Sequence, residues 1–515
     1  MRWFNLVMER IGLPKEYINW FWTMYRNLGI KIVVNGYMSD RLQVKRGFME
    51  GHPPSMAAFV ITMIPLMNEL ERVITGITTP DIKLHKVKGF ADDLKLFLSN
   101  LDEIETCYNI IEKFEKISGL KMHRDPNRGK CQALPFGKHK EHKNWPIWIS
   151  VRNEVKIVGI KFSNIDGRYE KINSELVAQN FYNSLQKVSG MRGTIFQKVY
   201  VVNTFLFSKL WYVAHVVKLD SKILNGILKK ALNFVYAGEN ERPVNQLNFR
   251  NKAQGGLGLI NPIVKAKTFL VKNMIKDFIN YDTDINDDYV INGLYGYTEI
   301  FKDMYLQDMA DTPVKEIYEY LMIDILEKNG SLIPSRNEKK TNNVKWNISW
   351  KNLKMLKGVN AEEKEFIWKV IQDMVPVGRR IHRHSVEKRC LKRLTSGQEC
   401  QEIPDLSHAL FECESMEYIF GVMKSICEEI LESRLNNKNL MYLDINQRKK
   451  SKLKIVLWFV VKFLYAAHMK RIFNKKQLLM EILKELEWNI MQMRRIGSLN
   501  EMRDLKDKIE NEINK

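Results

Sequence analysis

The sequence predicts an α+β segment followed by a mostly helical remainder, and three observations carry that prediction. Residues 1–163 hold short β-branched or alternating runs separated by turn signals. Within them, Gly89–Leu98 (GFADDLKLFL) places Leu94, Leu96 and Leu98 on alternate positions, the period of a half-buried strand. From Asn173 onward, apolar residues recur instead at helical spacing.

Trp3, Phe4, Leu6, Val7 and Ile11 share helical spacing, and Gly12-Leu13-Pro14 ends that helix. Glu16–Tyr25 resumes it with Ile18, Phe21, Trp22 and Tyr25 on one face. Lys31–Val34 reads as a strand, Asn35-Gly36 as a hairpin turn, and Leu42–Val44 as the strand that pairs back. The loop from Arg46 to Ser55 (RGFMEGHPPS) has two glycines that permit close backbone approach, and two prolines that stiffen it before a helix at Met56–Val73. Asp is poor in strands and good in turns, so Asp92 and Asp93 are placed at the tip of a β-hairpin. Leu101–Ser118 reads as a helix with a stripe of Ile104, Cys107, Ile110, Ile111 and Phe114. Gly119-Leu120-Lys121-Met122 and Lys130 lead to strands at Gln132–Phe136 and Val155–Ile160.

In the helical part, Ser221–Tyr236 is the clearest element. Ile223, Leu224, Ile227, Leu228, Ala231, Leu232 and Val235 make one face; Lys222, Lys229 and Lys230 make the other. That basic face suits solvent and phosphates equally well. Gly255-Gly256-Leu257-Gly258-Leu259 does not follow a strand as a dinucleotide fingerprint does, so it reads as a compact turn. Ser335–Val344 reads as a linker and Trp346–Val375 as helix. A basic cluster at Arg379–His384, then Cys390, Cys400, His408 and Cys413, precede charged helices that run to Lys515.

Composition narrows the function. At 515 residues with 45% hydrophobic content, the chain has room for two to four domains with real cores. Lys and Arg total 81 against 60 Asp and Glu, and the net charge of +21 favours a polyanionic partner. Six cysteines exclude a disulfide framework and predict a reducing location, cytoplasm or nucleus. Glu9 and Arg10 interrupt any signal peptide. The apolar run Ile455–Ala467 is short and contains Lys462, so it reads as a buried helix, with no membrane partner expected.

The carboxylates carry the chemistry. Asp92 and Asp93 on a rigid hairpin supply hard oxygen ligands of the kind that Mg²⁺ uses when it also binds phosphates. Two such ions clamp the attacking and leaving oxygens of a phosphoryl transfer. A second pair, Asp287–Asp288, sits in an acidic stretch that reads as a solvated loop.

These pieces, in this order, resemble the C-terminal part of a reverse transcriptase from a LINE-type, non-long-terminal-repeat retrotransposon, over Met1 to about Cys413. RGFMEGHPPS resembles the family's RGxRQGxPxS loop, and GFADDLKLF its active-site hairpin. Gly119-Leu120-Lys121 with Lys130 resembles the motif that follows, and Ile157–Ile160 the primer-grip strand. Trp211-Tyr212, Phe234–Gly238 and Gly255–Leu259 resemble the thumb and its downstream segment. Trp368, Pro376 and the Cys/His stretch resemble the C-terminal knuckle region.

The resemblance implies an α+β palm-type subdomain at 1–163, a helical thumb and connection at 164–340, and a helical basic C-terminal region at 341–515 with a degenerate knuckle near 390–413. It implies RNA-directed DNA polymerase activity by descent, with Mg²⁺ (or Mn²⁺) on Asp92 and Asp93. Arg46, Gly47, Glu50, Gly51, Pro53, Ser55, Lys121 and Lys130 would meet nucleotide or template, and Val158 and Gly159 would grip the primer. RNA template, DNA primer and dNTP are the implied partners.

Three departures temper it. No Asp precedes Asp40, whereas the family carries a catalytic Asp on an upstream strand; the chain by itself is therefore expected to be catalytically incomplete. Glu50 stands where the family has Gln, and a carboxylate only accepts hydrogen bonds. Gly397 stands at the first knuckle Cys; Cys390 would substitute only through a longer loop, so sub-stoichiometric zinc is expected. The alternatives are a non-catalytic nucleic-acid-binding remnant and an inert scaffold with solubilising lysines.

Overall fold

The structure, a computed structural model, describes residues 2–25, 28–43, 47–49, 51–79, 83–125, 130–237, 242–243, 245–279, 311–328, 331–332, 338, 341, 343–375, 377, 390, 398, 400–402, 404–469, 474–492 and 496–515. Arg46, Glu50, Pro376, Gly397, the Asp287–Asp288 pair and the Arg379–His384 cluster lie outside them. The chain divides into two compact units, Met1–Asp166 and Gly167–Lys515.

The first unit opens with α1 (Arg2–Ile11) and α2 (Lys15–Tyr25). Gly12, at φ +87°, closes α1: its N–H bonds Glu9 O and that of Leu13 bonds Met8 O, a Schellman ending that glycine makes without strain. A two-stranded ribbon follows. Gly29–Ile30 (β1) pairs with Leu42–Gln43 (β4), and Val33–Val34 (β2) with Tyr37–Met38 (β3). Asn35 and Gly36 both have positive φ, as a type I′ turn requires. The two-residue turn forces Tyr37–Met38 to pair first, so Leu42 meets Ile30 rather than the 31–34 run.

Pro53 and Pro54 start α3 (Pro53–Val73), where their missing N–H groups cost nothing. Ile77–Thr78 (β5) pairs with Leu84–His85 (β6), then Val87–Phe90 (β7) with Asp93–Leu96 (β8). α4 (Asp102–Ser118) ends on Gly119 at φ +77°. The core of this region joins Leu66, Leu70 and Ile74 at the end of α3 to Val87, Cys107 and Phe114, and Leu94 and Leu96 pack against it. Glu103 pins the assembly, since its carboxylate accepts from the N–H groups of Thr75 (2.6 Å), Ser99 (3.0 Å) and Asn100 (3.2 Å). Burial pushes its pKa up, but those three donors outweigh it and hold the carboxyl below its usual value.

Gln132–Ala133 (β9) pairs in parallel with Ser150–Val151 (β10). The Val155–Ile160 segment departs from the expected single strand. Glu154–Ile157 (β11) and Ile160–Ser163 (β12) form a hairpin, because Val158 (φ +45°) and Gly159 (φ +87°) make a type I′ turn. A β-branched residue at the first turn position is a rare choice, which is why the turn was hidden in the sequence. Among the described residues every sheet in the chain is two-stranded.

The second unit is helical. It contains α5 (Arg168–Val188), α6 (Ile195–Val201), α7 (Ser208–Ala214), α8 (Ser221–Val235), α9 (Asn245–Phe249) and α10 (Pro262–Ile279). α8 buries Leu224, Ile227, Ala231 and Val235 and leaves Lys222, Lys229 and Lys230 exposed, as its stripe predicts; Ile223, Leu228 and Leu232 are half-buried, Phe234 is buried as well, and Asp220 caps the helix. The glycine-rich stretch is a tight turn. Leu257 and Leu259 bond back to Leu247 and Asn248, and a Cβ on Gly256 would collide with the backbone of Arg250. Gly255 lies under the Trp350 ring and receives the Trp368 indole N–H at 2.9 Å.

α11 (Val314–Leu321), α12 (Ile323–Leu326) and a short pair, Glu327–Lys328 (β13) with Ser331–Leu332 (β14), come next. Of the residues read as a linker, Glu338 bonds the buried Arg250 guanidinium at 3.2 Å. The Trp346–Val375 helix is broken in two, α13 (Trp346–Met355) and α14 (Ala361–Ile371), by Gly358 at φ +71° and the Asn360 capping box. α15 (Glu414–Leu431), α16 (Asn437–Met441), α17 (Lys450–Met469), α18 (Lys475–Met491) and α19 (Leu499–Asn514) complete the unit. α17 is buried along Ile455–Leu464, and no described helix is long and apolar enough to cross a membrane.

Candidate metal centres

The Asp hairpin is seated by its register. Val87 opposes Leu96 and Gly89 opposes Leu94 on the face toward α3, where a Cβ on Gly89 would lie 3.1 Å from the Met67 thioether. Strand alternation then puts Lys88, Phe90, Asp93 and Lys95 on the outward face. Ala91 and Asp92 form the two-residue loop; Ala91 has φ +52°, a conformation that suits glycine better. Both aspartates are exposed, and so is Phe90, at 65%. Asp93 reaches Lys95 Nζ at 3.4 Å, a solvent-screened pair that releases easily to a metal or a phosphate. Lys88 faces Lys95 directly across the ladder, on the same face of the hairpin as Asp93.

A two-ion site would need a further carboxylate beside Asp92 and Asp93. Among the described residues no third carboxylate gathers at this tip.

The loop resembling a nucleotide pocket is anchored from below. Ser55 Oγ donates to Met49 O (2.6 Å) and lies 2.8 Å from the Tyr25 hydroxyl, while Phe48 packs on Phe4, Phe21 and Tyr25. Gly47 and Gly51 have φ of +88° and +73° and are exposed, as is Pro53. Lys121 and Lys130 are exposed, and the neighbouring Cys131 thiol bonds His123 O. Val158 and Gly159 form a separate hairpin tip.

A second centre lies in the helical unit. Ligand atoms of Cys390, Cys400, His408 and Cys413 all lie within 4.8 Å of one another. Cys390 Sγ is 3.7 Å from Cys413 Sγ, and Cys400 Sγ is 3.5 Å from His408 Nε2. A tetrahedral zinc with Zn–S near 2.3 Å and Zn–N near 2.0–2.1 Å has edges of about 3.8 Å between sulfurs and about 3.5 Å between sulfur and nitrogen. The donor set and its spacing therefore fit that ion.

Local structure holds each ligand. Cys413 is the N-cap residue of α15, and Ser415 Oγ lies 3.2 Å from its sulfur. His408 opens a π-helical turn, His408–Glu412, anchored by its N–H on Asp405. Glu402 does two things: its carbonyl accepts the Cys390 N–H at 2.9 Å, and its carboxylate lies 3.0 Å from His408 Nδ1. That second contact places the ring proton on Nδ1 and leaves the Nε2 lone pair for a metal. Sequence spacing does not reveal Glu402 or the arrival of Cys390; an acidic residue two places after a Cys is too common to signal anything. No protein-family description matches this sequence, and no curated protein registers as a relative.

Proposed function

We propose that this chain is a non-LTR retrotransposon reverse transcriptase, an RNA-directed DNA polymerase by descent. The observation that carries the reading is the β7–β8 tip: two exposed carboxylates, Asp92 in the two-residue turn and Asp93 at the first position of β8, with Lys88 and Lys95 paired further down the same hairpin. Asp92 and Asp93 would hold Mg²⁺ against nucleotide phosphates, and the lysines would meet the neighbouring backbone. In the second unit the Cys/His centre would hold a structural zinc that ties the 390–402 segment to the start of α15. The +21 net charge supports a nucleic-acid partner in both readings, polymerase or binding remnant.

Binding is tested by titrating a primer–template duplex against salt. Sub-micromolar affinity is expected at low salt. Log affinity should fall with log salt by about 0.9 for each phosphate neutralised on duplex DNA and about 0.7 on single strands. A slope of zero, or no binding at low salt, would leave the scaffold reading in its place.

A further inference from the structure

A cavity of about 680 Å³ lies in the helical unit, apart from both metal centres in its chemistry. The loop between α13 and α14 lines it through Lys357, α17 through Lys462, and α18 through Lys484, Glu485, Trp488 and Asn489. Its volume suits a small organic ligand.

Three of its groups call for a particular ligand. Asn489 is 4% exposed; its Nδ2 donates to Glu485 O at 2.7 Å, and its Oδ1 has no hydrogen-bond partner. A buried acceptor of this kind costs about 1–3 kcal/mol unless something donates to it. Trp488, one residue earlier, is 54% exposed. Three lysines against one glutamate line the walls, so the cavity favours an anion. Lys462 is already engaged by Glu363 (2.8 Å) and Glu485, which leaves Lys357 and Lys484 as the cations at the exposed rim.

We propose that this cavity binds a nucleotide. The base stacks on Trp488, an N–H of its Watson–Crick edge donates to Asn489 Oδ1, and the phosphate is met by Lys357 and Lys484. A flat apolar face, an edge donor and an anion within one small molecule satisfy all three groups together, and inorganic phosphate satisfies one. The nucleotide can be free or one residue of a single strand, since both offer the same chemistry. This proposal rests on the cavity alone and survives failure of the polymerase reading.

The full chain is titrated by calorimetry and tryptophan fluorescence with AMP, purine riboside 5′-monophosphate (which lacks the exocyclic amine), inorganic phosphate and a single-stranded RNA pentamer. AMP is expected to quench fluorescence and to bind at least fivefold more tightly than the purine analogue. Trp488→Leu should abolish the quench and weaken AMP by about 5–160-fold, the range for one stacked base. Asn489→Leu should erase the difference between AMP and the analogue. Binding by the pentamer with the same Trp488 dependence, but not by AMP, supports the site with a strand as its source. Equal affinity for AMP and the analogue, phosphate binding as tightly as AMP, or no binding by AMP or pentamer would each overturn the proposal. The comparison of the two ligands uses the unaltered protein, so it stands even where a variant misfolds.

Discussion

One zinc per chain, lost on Cys400→Ser and on Cys390→Ser, is the expected result of elemental analysis on the purified protein. Four soft or borderline donors converge within 4.8 Å, and the Cys390–Cys413 and Cys400–His408 distances match the edges of a tetrahedral ion. Apparent zinc-binding energies in small zinc domains are about 10–16 kcal/mol at pH 7. Here α15 also packs on other helices, so removing the metal should loosen the 390–413 segment without unfolding the unit. Hydrogen exchange after chelation should show lost protection there and at the first turn of α15. Glu402→Gln should retain zinc with affinity lower by about 10–100-fold, the usual effect of removing a partner of a metal-bound His. A sub-stoichiometric content would restore the expectation drawn from Gly397.

Lys462→Ala is expected to destabilise the helical unit by about 3–5 kcal/mol, the cost of breaking a buried ion pair from one side. Lys462 and Glu363 have side chains only 9% and 3% exposed and lie 2.8 Å apart, with Glu485 as a second carboxylate on the ammonium. Removing the cation strands the Glu363 carboxylate against apolar α17. Pairing Lys462→Met with Glu363→Gln should recover much of the loss, because the remaining Glu485 is half-buried and can turn to solvent. Denaturant unfolding followed by tryptophan fluorescence, with exchange of the 450–469 amides, measures both. A single variant as stable as the parent would mean that the pair is energetically idle.

Periodicity made the large elements legible. The stripes of α4 and α8 and the burial of α17 follow from residue spacing, and so do the glycine endings of α1 and α4. The Asn35-Gly36 turn is legible for a local reason, since few residue pairs tolerate two positive φ angles. Val158-Gly159 works by the same geometry, yet Val disguises it as strand. Gly358 breaks a helix that its neighbours would otherwise continue. The candidate centres divide along the same line. Asp92 and Asp93 are adjacent in sequence, so their shared tip could be read. Cys390, Glu402 and the Lys357, Lys462 and Asn489 cavity are assembled by tertiary packing, and no spacing rule announces them.

Primer extension on an RNA template tests the central claim, that Asp92 and Asp93 form a polymerase metal site. With one carboxylate-bearing hairpin and no third carboxylate gathered beside it among the described residues, a two-ion site is incomplete. Misplacing the attacking oxygen by even about 1 Å can cost ~100-fold. In Mg²⁺ or Mn²⁺, the 515-residue chain is therefore expected to give no measurable extension. A longer polypeptide that adds an Asp-bearing strand upstream should extend the primer and lose all activity on Asp92→Ala. Extension by either protein that survives Asp92→Ala, or none from the longer one, would contradict the assignment.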